Sequence, residues 1–234
     1  MSSVISSALG RIKGTFATWS GKFQYRYKCL LSDNIYGVDT AFFSPVSLKQ
    51  LSAGGYGRGA ISRKDFPGFY EDYLAIHCIL RRYAPPNILE IGTSSGTGTN
   101  IICNAMGGGK VISIDLPPDF DNEEMYPEHE DGKPAKPGAD CRFPYVQLFG
   151  NSKDFDFSPY YPLAAWFIDG KHNYEYAAGD TRQALKSSPD LILWHDVQME
   201  EVHNAAKDVM AGAGYKNYYV ENTRVAFSSK MKMA

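Results

Sequence analysis

Residues 87–99 read Asn-Ile-Leu-Glu-Ile-Gly-Thr-Ser-Ser-Gly-Thr-Gly-Thr. An apolar run (Ile88, Leu89, Ile91) stops at a glycine-rich turn, and a helix-compatible stretch, Asn100 to Met106, follows. That order predicts a buried strand, a tight loop and a helix N-terminus, where exposed backbone N–H groups and the helix dipole attract an anion. Glycines at 92, 96 and 98 give G-x-x-x-G-x-G, not the G-x-G-x-x-G of nicotinamide and flavin folds. A plain strand-to-helix turn, with glycine supplying positive φ, has the same look. A second strand narrows the choice. Val111 to Asp115 is short and apolar and ends in a carboxylate. In nucleoside-binding α/β folds an acid at the tip of the second strand accepts hydrogen bonds from ribose hydroxyls. Loop, helix and acid-ended strand together favour a nucleoside-type cofactor.

The whole chain of 234 residues suits one domain with a sizeable core and an appendage. A net charge of −2 gives no nucleic-acid footprint. No run approaches the roughly 18 apolar residues of a membrane span. Cys29, Cys78, Cys103 and Cys141 have neither ligand-like nor disulfide-framework spacing and read as free thiols in a reducing, cytoplasmic compartment. The first 30 residues contain five bases and no acid. A transit peptide or membrane-surface helix has such a composition. Phe16, Trp19, Phe23, Tyr25 and Tyr27 need burial, however, which favours an arm packed on the domain or on a second subunit of a homo-oligomer.

Residues 1–65 read as an N-terminal arm and cap without strand alternation, ending in a glycine-rich linker or lid at 52–60. A helix follows over about 68–83, with Phe69, Tyr73, Ile76, Leu80 and Tyr83 on one face, and Pro85-Pro86 stop it. His77 beside that face reads as a packed or surface histidine. Strands at 87–91, 111–115, 144–149, 164–168 and 191–195 then alternate with helices near 97–106, 174–187 and 199–212, the pattern of a parallel sheet. The tail, 216–221 and 224–227 about Asn222-Thr223, reads as an antiparallel hairpin. Residues 117–142, with five prolines and eight acids, read as an insertion or long loop. His129 among Glu128, Glu130 and Asp131 reads as part of a solvated acidic loop.

Two further strand ends carry chemistry. Trp166 to Asp169 closes a strand, and His172 follows at the start of a helix; Leu191 to Trp194 is followed by His195-Asp196. Ligands of an open parallel sheet bind beyond the carboxyl ends of its strands. Glu90, Asp115, Asp169, His195 and Asp196 are therefore expected to face one crevice. Two carboxylates and an imidazole suit a divalent ion, Mg²⁺ or, with histidine among the ligands, Mn²⁺, Zn²⁺ or Fe²⁺. Such an ion lowers the pKa of a substrate hydroxyl, and His172 is placed to act as base, its ring kept neutral by the helix N-terminus and the cation. Each residue also has a structural reading: Asp169 and Asp196 as helix caps, His195 as a packed ring orienting Asp196. Asn151 and Ser152, past the third strand, stand where an adenine amine finds partners, or where a simple turn needs such residues.

These blocks resemble the class I S-adenosylmethionine-dependent methyltransferases. The loop, as Glu90-x-Gly92-x-x-x-Gly96-x-Gly98, has the form of their first motif. The later blocks resemble the metal-dependent catechol and caffeoyl-coenzyme A O-methyltransferases. They resemble still more the macrocin O-methyltransferase and cephalosporin hydroxylase type, through Asp169, Gly170, His172 and Tyr174 and then His195, Asp196 and Val197. The resemblance covers roughly residues 66–200. It implies a Rossmann-like, doubly wound, mostly parallel seven-stranded sheet ending in an antiparallel C-terminal hairpin, as a domain over 66–234 behind the N-terminal cap. It implies S-adenosylmethionine held by Glu90, Gly92, Thr93, Ser94, Ser95, Gly96, Gly98, Asp115, Asn151, Ser152 and Asp169. It further implies Mg²⁺ (or Mn²⁺) on Asp169, His195 and Asp196, and His172 at the offset of the relatives' lysine base; His195 stands where the relatives carry an acid. The expected activity is O-methylation of a small-molecule hydroxyl on a sugar, polyol or phenol-like natural product. The alternatives are a hydroxylase or oxidoreductase component of the cephalosporin hydroxylase type and a non-catalytic S-adenosylmethionine-binding protein.

Overall fold

A computed structural model describes residues 38–57, 69–118 and 136–231. The basic arm at 1–30, Cys29 and the acidic cluster around His129 lie outside them. The strands are β1 (Ser44–Val46), β2 (Asn87–Ile91), β3 (Lys110–Asp115), β4 (Val146–Phe149), β5 (Ala165–Ile168), β6 (Leu191–Trp194), β7 (Lys216–Val220) and β8 (Ala226–Ser229). The helices are α1 (Leu48–Ser52), α2 (Tyr70–Tyr83), α3 (Thr97–Met106), α4 (Tyr174–Lys186) and α5 (Glu200–Met210). All strands join one sheet in the order β1-β7-β8-β6-β5-β2-β3-β4. Every pairing is parallel except those of β8, which runs antiparallel between β6 and β7.

The expected hairpin is present, with Asn222 at φ +59 in its turn. The sheet has one strand more than the seven expected. The addition, β1, comes from the segment read as lacking alternation. Three residues are too few to show a period of two, and Pro45 is tolerated there because β1 is an edge strand. Ser47 then starts α1 with a capping box, accepting from Gln50 N while the Gln50 side chain accepts from Ser47 N.

Alternation in the central strands feeds two separate cores. Leu89, Ile112, Trp166 and Ile192 point to the layer of α4 and α5, meeting Ala177, Ala178, Ala205 and Ala206. The small alanines let those helices lie over two large indoles. Trp166 Nε1 donates to Ser187 Oγ (2.8 Å) and Trp194 Nε1 to Thr181 Oγ1 (2.9 Å), so neither ring buries an unpaired N–H. Ile88, Val111, Phe167 and Leu193 point the other way, against Ile76 and Ile79 of α2 and Ile101 and Ile102 of α3. Fully burying one such side chain stabilises the fold by about 1.5–3 kcal/mol.

The connectivity fixes where a ligand fits. From β2 the chain moves outward to β3 and β4, then returns to β5 on the opposite side of β2. That reversal opens a crevice beyond the carboxyl ends of β2 and β5.

Candidate active site

Gly92 stands at the reversal with φ +98, and a Cβ there would lie 2.1 Å from the carbonyl oxygen of Asp169. Only glycine lets the ends of β2 and β5 approach this closely; Asp169 N donates to Ile91 O at 2.9 Å. Gly96, at φ +93, N-caps α3. The space beside it, expected to border the cofactor, holds protein: a Cβ would meet Gly138 Cα at 2.8 Å. The end of the insertion lies across the loop, with Gly138 N donating to Ser94 O (2.9 Å) and Asp140 N to Ser95 O (2.7 Å). Ser95 Oγ pairs with Thr97 Oγ1 at 3.0 Å. Asp115 braces the loop from the tip of β3: Oδ2 accepts from Ser94 N (2.6 Å) and Oδ1 from Leu116 N (2.7 Å).

Glu90 corrects the sequence reading. It does not face the crevice but is fully buried. It shares a strand face with Ile88, the α3 side, and so points beneath the helix. Its Oε2 accepts from Ser113 Oγ (2.6 Å) and Thr99 Oγ1 (2.5 Å), while Oε1 has no partner among the described residues. Burial pushes the carboxyl up to about 8, against the two hydroxyl hydrogen bonds. Thr93 Oγ1 meets Ser113 Oγ at 2.7 Å and accepts from Gln147 Nε2 at 3.0 Å, so a buried polar network underlies the glycine-rich loop. Asn151 donates from Nδ2 to the Tyr176 hydroxyl (3.3 Å) and accepts at Oδ1 from Lys153 N (3.1 Å); Ser152 is buried.

Beyond β5 and β6 the predicted residues converge. Asp169, His195 and Asp196 each offer one ligand atom, all within 4.8 Å of one another. His195 Nδ1 lies 3.2 Å from Asp169 Oδ1 and 3.1 Å from Asp196 Oδ2. His172 Nε2 lies 3.1 Å from Asp196 Oδ2 and 3.5 Å from Asp169 Oδ1. That nitrogen is buried without the directional geometry of a hydrogen bond to either oxygen, so it pairs with them through charge. The capping alternatives fall away. Asn173 caps α4, accepting from Tyr176 N at 3.0 Å, and Met199 is the N-cap of α5. Asp196 instead takes a left-handed φ of +54, which Asp tolerates better than most residues.

Two more charged residues complete the cluster. Asp72, in the first turn of α2, accepts from Arg224 N (2.9 Å) and Nε (2.7 Å). Arg224 NH1 donates to Asp196 Oδ1 at 3.0 Å, and its guanidinium lies 4.2 Å from the centre of the Phe69 ring. His195 Nε2 faces this pair, 3.5 Å from Asp72 Oδ2 and 3.3 Å from Arg224 NH2. Neither residue stood out in the sequence. An acid in the first turn of a helix reads as a dipole partner, and an arginine in a hairpin turn reads as solvated.

Charge dominates the titration here. Loss of solvation opposes ionisation of Asp196 and Asp169, yet the neighbouring histidines, with Arg224 beside Asp196, hold both carboxyls below their usual range. His195 is held well above its ordinary value despite burial, chiefly by Asp169. Asp169 and then Asp196 raise His172 to about 9. Those two carboxylates favour the protonated ring, and the neutral ring expected of a base calls for a cation beside them to offset their charge. With both imidazoles protonated the charges cancel: Asp72, Asp169 and Asp196 against Arg224, His172 and His195. A divalent ion with both imidazoles neutral also cancels them. Carboxylate and imidazole donors, their spacing and this balance fit a divalent cation.

Searched by fold, the chain matches a methyltransferase from Podospora anserina, PaMTH1, solved with S-adenosylhomocysteine, at a TM-score of 0.52 and 12% identity over 92% of this chain and 96% of that one. It also matches TomG of Streptomyces achromogenes, an O-methyltransferase of tomaymycin synthesis solved with S-adenosylmethionine. The TM-score there is 0.51 at 16% identity, over 77% of this chain and 89% of that one. The chain has the class I methyltransferase fold. No protein-family model and no curated protein sequence matches it. Among the described residues no helix is long and apolar enough to cross a membrane.

Proposed function

We propose that this protein transfers a methyl group from S-adenosylmethionine to a hydroxyl oxygen of a small molecule, with a divalent ion held by Asp169, His195 and Asp196. One observation carries the reading: the glycine-rich loop, Asp115 and the Asp169–His172–His195–Asp196 cluster lie at one carboxyl edge of the sheet. In this reading Asp115 and the start of the loop at Gly92, away from the covered Gly96, hold the ribose and methionine parts of the donor, and Asn151 and Ser152 hold its adenine. Positioning supplies much of the rate, because an in-line donor and acceptor turn a bimolecular step into an effectively unimolecular one. A bound cation lowers the pKa of the acceptor hydroxyl. His172 accepts the hydroxyl proton at Nε2, which its place between Asp169 and Asp196 aims into the cluster. It is competent once the charge of those carboxylates is met, since it is their field that keeps the ring protonated. The acceptor classes are sugars, polyols and phenol-like natural products.

Labelled S-adenosylmethionine, Mn²⁺ or Mg²⁺, and a panel of those acceptors test the proposal. Label should pass to at least one acceptor, stop in chelator and return on adding metal. Transfer that continues in chelator with a metal-free protein removes the ion from the proposal. Absence of S-adenosylmethionine binding by calorimetry overturns the proposal as a whole.

A further inference from the structure

We infer that Cys103 and Cys141 are a redox pair whose disulfide clasps the end of the insertion across the glycine-rich loop. The effect on donor uptake rests on the function proposed above; the cross-link itself does not.

The two cysteines stand on either side of β3 and the insertion in sequence, yet their segments run together. Asn100 Oδ1 of α3 accepts from Arg142 N at 3.1 Å. A Cβ on Gly96 would meet Cys141 N at 3.1 Å. Cys103, about one turn beyond Asn100, turns its Sγ toward Pro144 O at 4.0 Å. Gly96, Asn100 and Cys103 share one ridge of the helix, so residues 141–144 are laid along that ridge. Cys141 packs on the core layer that contains Cys103, and the two thiols meet side chain to side chain. Both are free thiols.

The pair divides the roles that oxidation needs. Cys141 is part exposed, so a peroxide can reach it. Cys103 is 7% exposed, and its thiol is pushed up to about 12 by burial and then by Cys141. Peroxide gives one oxygen to Cys141 Sγ, which becomes a sulfenic acid as water is released. Cys103 Sγ then attacks that sulfur. The S–S bond forms, the S–O bond breaks, and the Cys103 proton leaves with the hydroxyl as a second water. The two thiols lose two electrons and one peroxide gains them. A reducing thiol reverses the step by exchange.

The segment that the bond would hold is already docked. Gly138 N donates to Ser94 O and Asp140 N to Ser95 O, and Cys141 N donates to Gly138 O at 3.0 Å. Residues 138–141 thus form a compact turn over the start of α3. Hydrogen bonds and packing alone allow such a turn to open locally, whereas a disulfide to α3 removes that freedom. A donor at Gly92 and Asp115 lies beside this turn: Asp115 accepts from the N–H of Ser94, whose carbonyl carries Gly138. Entry of the donor then requires the turn to lift, and the oxidised protein admits it slowly.

Equimolar hydrogen peroxide on the whole chain is the test. The mass should fall by the two thiol hydrogens, and peptide mapping should find Cys103 joined to Cys141 with Cys78 still a thiol. Stopped-flow uptake of S-adenosylhomocysteine should slow by about 10-fold or more, as when a conformational change gates association, and recover in dithiothreitol. Cys141→Ser should take up the ligand at one rate with and without peroxide; if it does not fold, Cys103→Ala provides the same control. Oxidation that leaves Cys103 and Cys141 unlinked overturns the inference. So does a mapped link with unaltered uptake. A reduced protein that binds no S-adenosylhomocysteine overturns the function proposed above instead, and the mapping still decides the cross-link.

Discussion

Glu90→Gln isolates the effect of burying an acid beneath the glycine-rich loop. In the folded protein the Glu90 carboxyl is pushed up to about 8, from an ordinary value of 4.5. Between those values the folded chain keeps the proton that the unfolded chain has lost. The folded state therefore binds more protons, and stability falls as pH rises, by about 1.4 kcal/mol per unit. The contribution is complete below about pH 4.5 and is lost as pH passes about 8, some 4–5 kcal/mol over the window. Glutamine has no proton to lose and keeps an oxygen for Ser113 and Thr99. Any difference in packing, including an amide placed where Oε1 had no partner among the described residues, is constant with pH and drops out of the comparison. Urea unfolding of both proteins at pH 5, 6, 7 and 8 should show the variant gaining on the parent by ~3–4 kcal/mol from the lowest pH to the highest. A difference flat to within about 1 kcal/mol would mean that Glu90 titrates near its ordinary value. It would also refute the account of a neutral acid under the loop.

Two substitutions test the crevice itself. Gly92→Ala must place its Cβ 2.1 Å from Asp169 O at a φ of +98, whereas Gly108→Ala, at φ +109, meets nothing within 4 Å. We expect Gly92→Ala to cost about 3 kcal/mol or more and Gly108→Ala about 1 kcal/mol, from backbone strain with and without a clash; equal melting temperatures would show that the close approach of β2 and β5 is not required. His172→Ala should lower turnover by about 10²- to 10⁴-fold while leaving S-adenosylmethionine affinity unaltered; near-normal turnover would remove His172 as the base.

Strands β2, β3, β5 and β6 and helices α3, α4 and α5 were legible to within a residue or two because each is short, apolar and bounded by glycine, proline or a charged end. Parallel order followed from their alternation, and with it the meeting of Asp169, His172, His195 and Asp196 at one edge. β1 was not legible, because three residues carry no period. The burial of Glu90 was hidden for a different reason: an acid just before a glycine turn reads as a ligand contact. Only the alternation of the strand, with Glu90 on the face of Ile88, says that it points under α3. Asp72 and Arg224 lie 152 residues apart, and neither has a local pattern that announces the other. Their meeting is a product of topology, since β8 enters the sheet beside β6 and brings the turn before it to the crevice.

That entry has a consequence for the chain as it emerges during synthesis. β6 is buried along its whole length, and β8 covers one of its edges. Until residues 226–229 have been made, Leu191 to Trp194 present an apolar strand with an open hydrogen-bonding edge, the sort of surface that other chains pair with. Over the same interval Asp72, Asp169 and Asp196 lack the arginine that balances them. Strand β8 thus both seals the edge of β6 and brings the arginine before it to the crevice, so a chain stopped short of it has an open apolar edge and an unbalanced acidic cluster.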